Sequence, residues 1–211
     1  MNELSYIEQV SEVAQSRDAF ADKDSFKLLW NISCTLAKSS MIPANYQSKP
    51  EDCMVAVDMA NRLGVSPLMV MQNMYVVKGK PAWSGQACMT LISGCGKFKD
   101  VYPVYTGEKG KDTRGCYIKA TRIKDDTEID GTEVTIAMAK AEKWYSKIDK
   151  YGNETSKWQT MPEQMLAYRA AAFFARVYCP EALMGVQLVD EVIDISKDTP
   201  VAVNPFAEVS K

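Results

Sequence analysis

Histidine does not occur in this chain of 211 residues. Its absence removes Ser/His and Cys/His nucleophilic systems and imidazole-ligated metal sites together, and many enzyme classes with them. No apolar run approaches the roughly 18 residues of a membrane-spanning helix. The opening MNELSYIEQVSEVAQ has neither a basic region nor an apolar signal core, so a cytoplasmic protein without a membrane partner is expected. Six cysteines (Cys34, Cys53, Cys88, Cys95, Cys116, Cys179) include no CxxC pair, which favours buried free thiols over a disulfide framework. The one glycine cluster, Gly94-Cys95-Gly96-Lys97, lacks the spacing of a nucleotide-binding phosphate loop and reads as a helix C-cap, so no nucleotide cofactor is expected. No internal repeat or low-complexity block appears.

What is present is a core's worth of apolar residues and an uneven charge. Hydrophobic residues make up 46% of the chain, enough for a single domain. We place that domain at residues 1–195, followed by a flexible acidic tail at 196–211. The net charge of −2 conceals a division along the chain. Residues 1–74 carry 6 basic and 9 acidic side chains, residues 75–180 carry 17 and 12, and residues 181–211 carry 2 and 6. A basic middle between acidic ends suits a surface that meets a polyanion.

Periodicity predicts a short helix at 4–15, a second opening at Ser25, and a third from Pro50 to Gly64 that buries Val55, Met59 and Leu63. Ser66-Pro67 starts a further helix reaching Asn73. MYVVKGKPAW then reads as a β-hairpin, with Pro81 tolerable only at a sheet edge, and Ser84-Gly85 caps the next helix. Three alternating segments at 98–105, 114–122 and 128–136 read as an antiparallel meander. A helix over 137–147 follows, on which Lys140, Lys143 and Lys147 share a face. The class is therefore α+β: a small antiparallel meander plus a hairpin, flanked by helices, in a single domain.

The last long helix, over 161–178, is expected to start at an N-cap Thr160 and stop before Pro180. Its wide apolar arc carries Leu166, Ala170, Phe173, Phe174 and Val177. Opposite runs a narrow seam of Met165, Arg169, Ala172 and Arg176, whose two guanidiniums are expected on one exposed line facing phosphate. Basic and aromatic residues also alternate elsewhere. Lys78 and Lys80 flank the hairpin tip, the three lysines of 137–147 surround Trp144 and Tyr145, and Lys157 adjoins Trp158. Cations that track a backbone and flat rings that accept any base are the combination used in sequence-indifferent single-strand binding.

Two blocks, residues 36–92 and 157–191, resemble the RecT/Bet group of phage single-strand annealing recombinases. The telling stretches are N-x-x-V-x-x-G-K-P at 73–81, the Ser84-Gly85 helix start, and P-x-x-M-L-x-x-R-A at 162–170. Trp83 and the short stretch after Asp194 depart from the family's pattern. The resemblance implies an ATP-independent, non-catalytic protein that binds single-stranded DNA and the annealed duplex, assembles as a ring or helical homo-oligomer, and works beside a partner exonuclease. It implies DNA contacts at Lys78, Lys80, Arg169 and Arg176. Those at Lys140, Lys143, Lys147, Lys157 and Trp158 rest on the charge and ring pattern alone. Two other readings stand beside annealing: a strand protector that does not pair strands, and a metal-dependent nuclease using Asp125-Asp126 or Asp190, Glu191 and Asp194. We expect no catalytic residue and no metal.

Overall fold

The computed structural model describes Phe20, residues 22–77 and residues 79–189. The expected helix at 4–15, Lys78, the acidic group Asp190, Glu191 and Asp194, and the tail at 196–211 lie outside the described residues. The chain forms two compact units with the boundary after Met74.

The first unit is helical. Helix α1 (Lys23–Ala37) begins at Asp22, whose carboxylate accepts from the Asp24 and Ser25 backbone N–H groups, and it buries Leu29, Ser33 and Ala37 at four-residue steps. Helix α2 (Pro50–Leu63) has Pro50 in its first turn, Glu51 and Asp52 at its positive end, and Gly64 in the left-handed conformation after it (φ 65°). Its buried face is Cys53, Ala56, Val57, Met59 and Ala60, and Val55 is exposed. The expected stripe of large residues is thus displaced toward small ones, which let α1 approach closely. Helix α3 (Pro67–Asn73) follows, capped by the Ser66 hydroxyl on Met69 N–H.

The second unit begins within strand β1 (Met74–Val77), which forms one sheet with β2 (Lys80–Trp83) and β7 (Gln187–Leu188) in the order β1-β2-β7. Sequence reading gave the β1 and β2 segments but not β7, which pairs parallel to β2 at only two positions, Ala82 with Gln187 and Trp83 with Leu188. Pro81 therefore sits in the middle strand rather than at an edge. It is tolerated because β7 pairs with β2 only beyond it. Trp83 is fully buried, and its indole N–H donates to Leu183 O at 3.2 Å.

The second sheet centres on β4 (Gly115–Arg122), antiparallel to β3 (Phe98–Thr106) on one side. On the other side β5 (Glu128–Asp130) and β6 (Val134–Thr135) both pair with it. The expected third strand is split because Gly131 passes against helix α7 (Pro162–Tyr178), where a Cβ would meet the Phe174 ring at 2.9 Å. Helix α4 (Gly85–Gly94) packs on the same helix, with Gly85 so close that a Cβ would fall 2.9 Å from Tyr168 Cβ.

Covered by both partners, α7 is buried nearly all round, through Leu166, Arg169, Ala170, Ala171, Ala172, Phe174 and Ala175. The expectation of a narrow exposed seam is corrected here: Arg169 and Ala172 are inside, while Val177, placed on the apolar arc, is exposed. Thr160 does not cap α7 either, since it belongs to the short helix α6 (Lys157–Thr160). The start of α7 is fixed instead by Glu163, whose carboxylate accepts from Arg114 Nη2 at 2.7 Å, and by Tyr105 O–H donating to Glu163 O at 3.1 Å. Among the described residues no single helix is long and apolar enough to cross a membrane.

Candidate nucleic-acid interface

The predicted helix over 137–147 stops early, and the way it stops builds the site. Helix α5 (Ile136–Ala141) starts with the Thr135 hydroxyl on Met138 N–H and ends in a Schellman turn. Trp144 N–H reaches back to Ala139 O at 2.8 Å and Lys143 N–H to Lys140 O at 3.2 Å. Lys143 takes the left-handed position (φ 61°) that glycine normally fills. The three lysines therefore do not share a helix face. Lys140 Nζ is held by Asp112 at 2.6 Å and lies 5.1 Å from the centroid of the Tyr145 ring, whereas Lys143 and Lys147 turn toward a different place.

That place is an open cleft of about 580 Å³. Lys143, Lys147 and Lys157 line it together with Trp144, Trp158, Tyr168 and Arg169. Its polar lining comes from side chains such as Ser146, Gln86 and Gln164, and among the described residues no aspartate or glutamate lines it. Among the described residues no carboxylate lies within 4.0 Å of the ammonium groups of Lys143, Lys147 or Lys157. Three cations around a concave surface whose described lining holds no carboxylate concentrate positive potential there.

The aromatic members are interlocked. Trp144 and Trp158 lie with ring centroids 6.0 Å apart, and Phe173 meets Trp144 edge-on at 6.4 Å. The Arg169 guanidinium carbon sits 3.8 Å from the Trp144 ring centroid, in stacking contact, with the residue only 5% exposed. Trp158 is 4% exposed, so it braces the cleft more than it offers a free face. Arg169 thus braces Trp144 from below.

The segment between α5 and α6 is tied down by two carboxylates. Glu154 accepts from the Ser146 hydroxyl, from the Lys147 and Ser156 backbone N–H groups at 2.8 Å each, and from Gln159 Nε2 at 2.9 Å. Those donors, the Ser146 hydroxyl first, hold its pKa below the ordinary carboxylate value. Asp149 is lowered likewise, chiefly by the Asn153 backbone N–H.

The nine predicted contact residues divide accordingly. Lys143, Lys147, Lys157, Trp158 and Arg169 come together. Lys140 is paired elsewhere, Lys80 and Arg176 are exposed but outside the cleft lining, and Lys78 lies outside the described residues. Gln86, Gln164, Ser146, Thr155 and Tyr168 were not anticipated. Of these Gln164 and Tyr168 had a signal, as members of the P-x-x-M-L-x-x-R-A stretch, and Gln86 as the residue after the Ser84-Gly85 helix start. A family model described as RecT family matches residues 33–203 of the chain. No curated protein and no solved structure matches it.

Proposed function

The chain belongs to the RecT family, whose members are annealing proteins of recombination, and from that premise we propose that it binds single-stranded DNA at the lysine cleft and promotes pairing of complementary strands without ATP. The observation that carries the reading is the gathering of Lys143, Lys147 and Lys157 around one cleft, with Trp144 and Trp158 in its lining and no carboxylate among the described lining residues. Annealing is slowed by repulsion between two polyanions. Neutralising phosphates along a surface removes that obstacle while the base edges remain available, so no bond need be made or broken. Homo-oligomers, held duplex and a partner exonuclease complete this proposal, with the cytoplasm as its setting.

The test is titration of a labelled oligonucleotide with wild-type protein and with a Lys147→Ala/Lys157→Ala double variant at several salt concentrations. Each lost phosphate contact lowers the log–log salt slope for a single strand by about 0.7, so the double variant falls by about 1.4 and binds more weakly. Duplex formation from complementary strands, followed by fluorescence transfer, should slow in parallel. An unchanged slope and pairing rate in a folded variant would remove the cleft from the mechanism. Binding without faster pairing would mark a strand protector, and magnesium-dependent cutting would mark a nuclease.

A further inference from the structure

The chain between α5 and α6 rises beside the cleft as a small hairpin. Ile148 and Glu154 form an isolated antiparallel bridge, and Asp149 N–H donates to Asn153 O at 2.9 Å. At the tip the Asp149 carboxylate accepts from Tyr151 N–H at 2.8 Å and from Asn153 N–H at 2.9 Å. Gly152, at φ 85°, closes the turn, and its N–H donates to Asp149 O at 3.1 Å.

The carboxylates of both acids in this hairpin, Asp149 and Glu154, are engaged by backbone and side-chain donors of the same segment. What is left facing outward is cationic and aromatic. Tyr151 is 76% exposed, and Lys150 Nζ lies 4.8 Å from its ring centroid. Lys147 and Thr155, at the two ends of the hairpin, line the cleft, so the tip stands at the margin of that surface. A ring held this way on a short tied turn gives up little freedom on binding, and apolar area left in water gains by being covered.

We propose that Tyr151 is a stacking platform for a base of the single strand that the cleft holds, with Lys150 beside it for the adjoining phosphate. The proposal rests on the cleft reading. It favours nucleic acid over a second copy of this chain because Lys150 lies against the ring, Lys147 at the base of the hairpin lines the cleft with Lys143 and Lys157, and the hairpin's carboxylates are occupied. Stacking of this kind does not select a base. The tip therefore adds affinity for any unpaired strand and none for stacked duplex.

The experiment uses the full chain with a thymine oligonucleotide carrying 5-iodouracil, cross-linked by light and mapped by mass spectrometry, beside titrations of Tyr151→Ala, Tyr151→Phe and Lys147→Ala/Lys157→Ala. The expected result is a cross-link at Tyr151. Tyr151→Ala should bind about 5- to 150-fold more weakly with its salt slope unchanged, and Tyr151→Phe within about twofold of wild type. Wild-type affinity in Tyr151→Ala, with cross-links elsewhere, overturns the proposal. If the lysine variant still binds weakly in that case, the cleft reading survives alone, and if neither variant binds more weakly, both fall. A change in particle size of Tyr151→Ala without DNA, by light scattering, would assign the ring to contacts between copies and equally overturn it. The cross-link on wild-type protein decides the matter even should the alanine variant misfold.

Discussion

Arg169 shows how far a single residue's role depends on its surroundings. Its spacing from Arg176 is that of two turns of one helix face, yet one guanidinium is stacked on Trp144 inside the cleft lining and the other is exposed outside it. A stacked, desolvated cation–aromatic pair is worth about 2 kcal/mol. We therefore expect Arg169→Ala to lower stability by at least that amount and to change the tryptophan signal in near-ultraviolet circular dichroism. Arg169→Lys should recover only part of both, because an ammonium lacks the planar face that lies on the indole. A variant with wild-type melting and an unaltered tryptophan band would show that the stack contributes nothing. The sequence could propose this arginine as functional but not place it. Its burial comes with the Trp144 ring of the segment after α5 lying against it, and no local pattern of α7 records that.

At the level of elements, boundaries written in capping chemistry were legible. Pro50 and Gly64 frame α2, and Ser66, Ser84 and Pro180 mark three more ends where the sequence placed them. Features imposed by distant partners were not. The two-residue strand β7 has no periodicity to read, and the split between β5 and β6 comes from Phe174 pressing on Gly131. The early end of α5 was missed for another reason: the left-handed position is occupied by Lys143, so the usual glycine signal is absent. That position offers a separation of effects. Replacing it with glycine relieves about 1 kcal/mol of backbone strain, offset in part by greater freedom of the unfolded chain, but removes a cation from the cleft. Lys143→Gly should therefore melt no lower than wild type, and up to about 4 °C higher, while binding single strands more weakly. Lower stability together with intact binding would contradict both halves of the argument.

For the molecule as a whole, the missing histidines set the response to acid. No side chain in the chain has an ordinary pKa between about 5 and 8. Strand affinity at fixed ionic strength should accordingly vary less than about twofold from pH 6 to pH 8. Glu154 and Asp149 contribute to what happens lower down, beside Asp125, Glu163 and Glu181, which their own donors and cations depress as well. Because the folded state depresses these carboxyl groups, it holds their protons less readily than the unfolded chain does. Their stabilisation is complete above the ordinary carboxylate range, near 4, and is lost as pH falls through the depressed folded values. Melting temperatures measured between pH 3 and pH 8 should show a plateau that breaks only below about pH 4, less steeply in Glu154→Gln; a break between pH 6 and pH 7 would contradict this assignment. The close pairing of Trp144 with Trp158, beneath a ring of ammonium groups, has one more consequence. Two of the chain's four indoles line the cleft proposed for the strand, so on that proposal intrinsic emission reports occupancy without any dye. The protein carries its own gauge of loading.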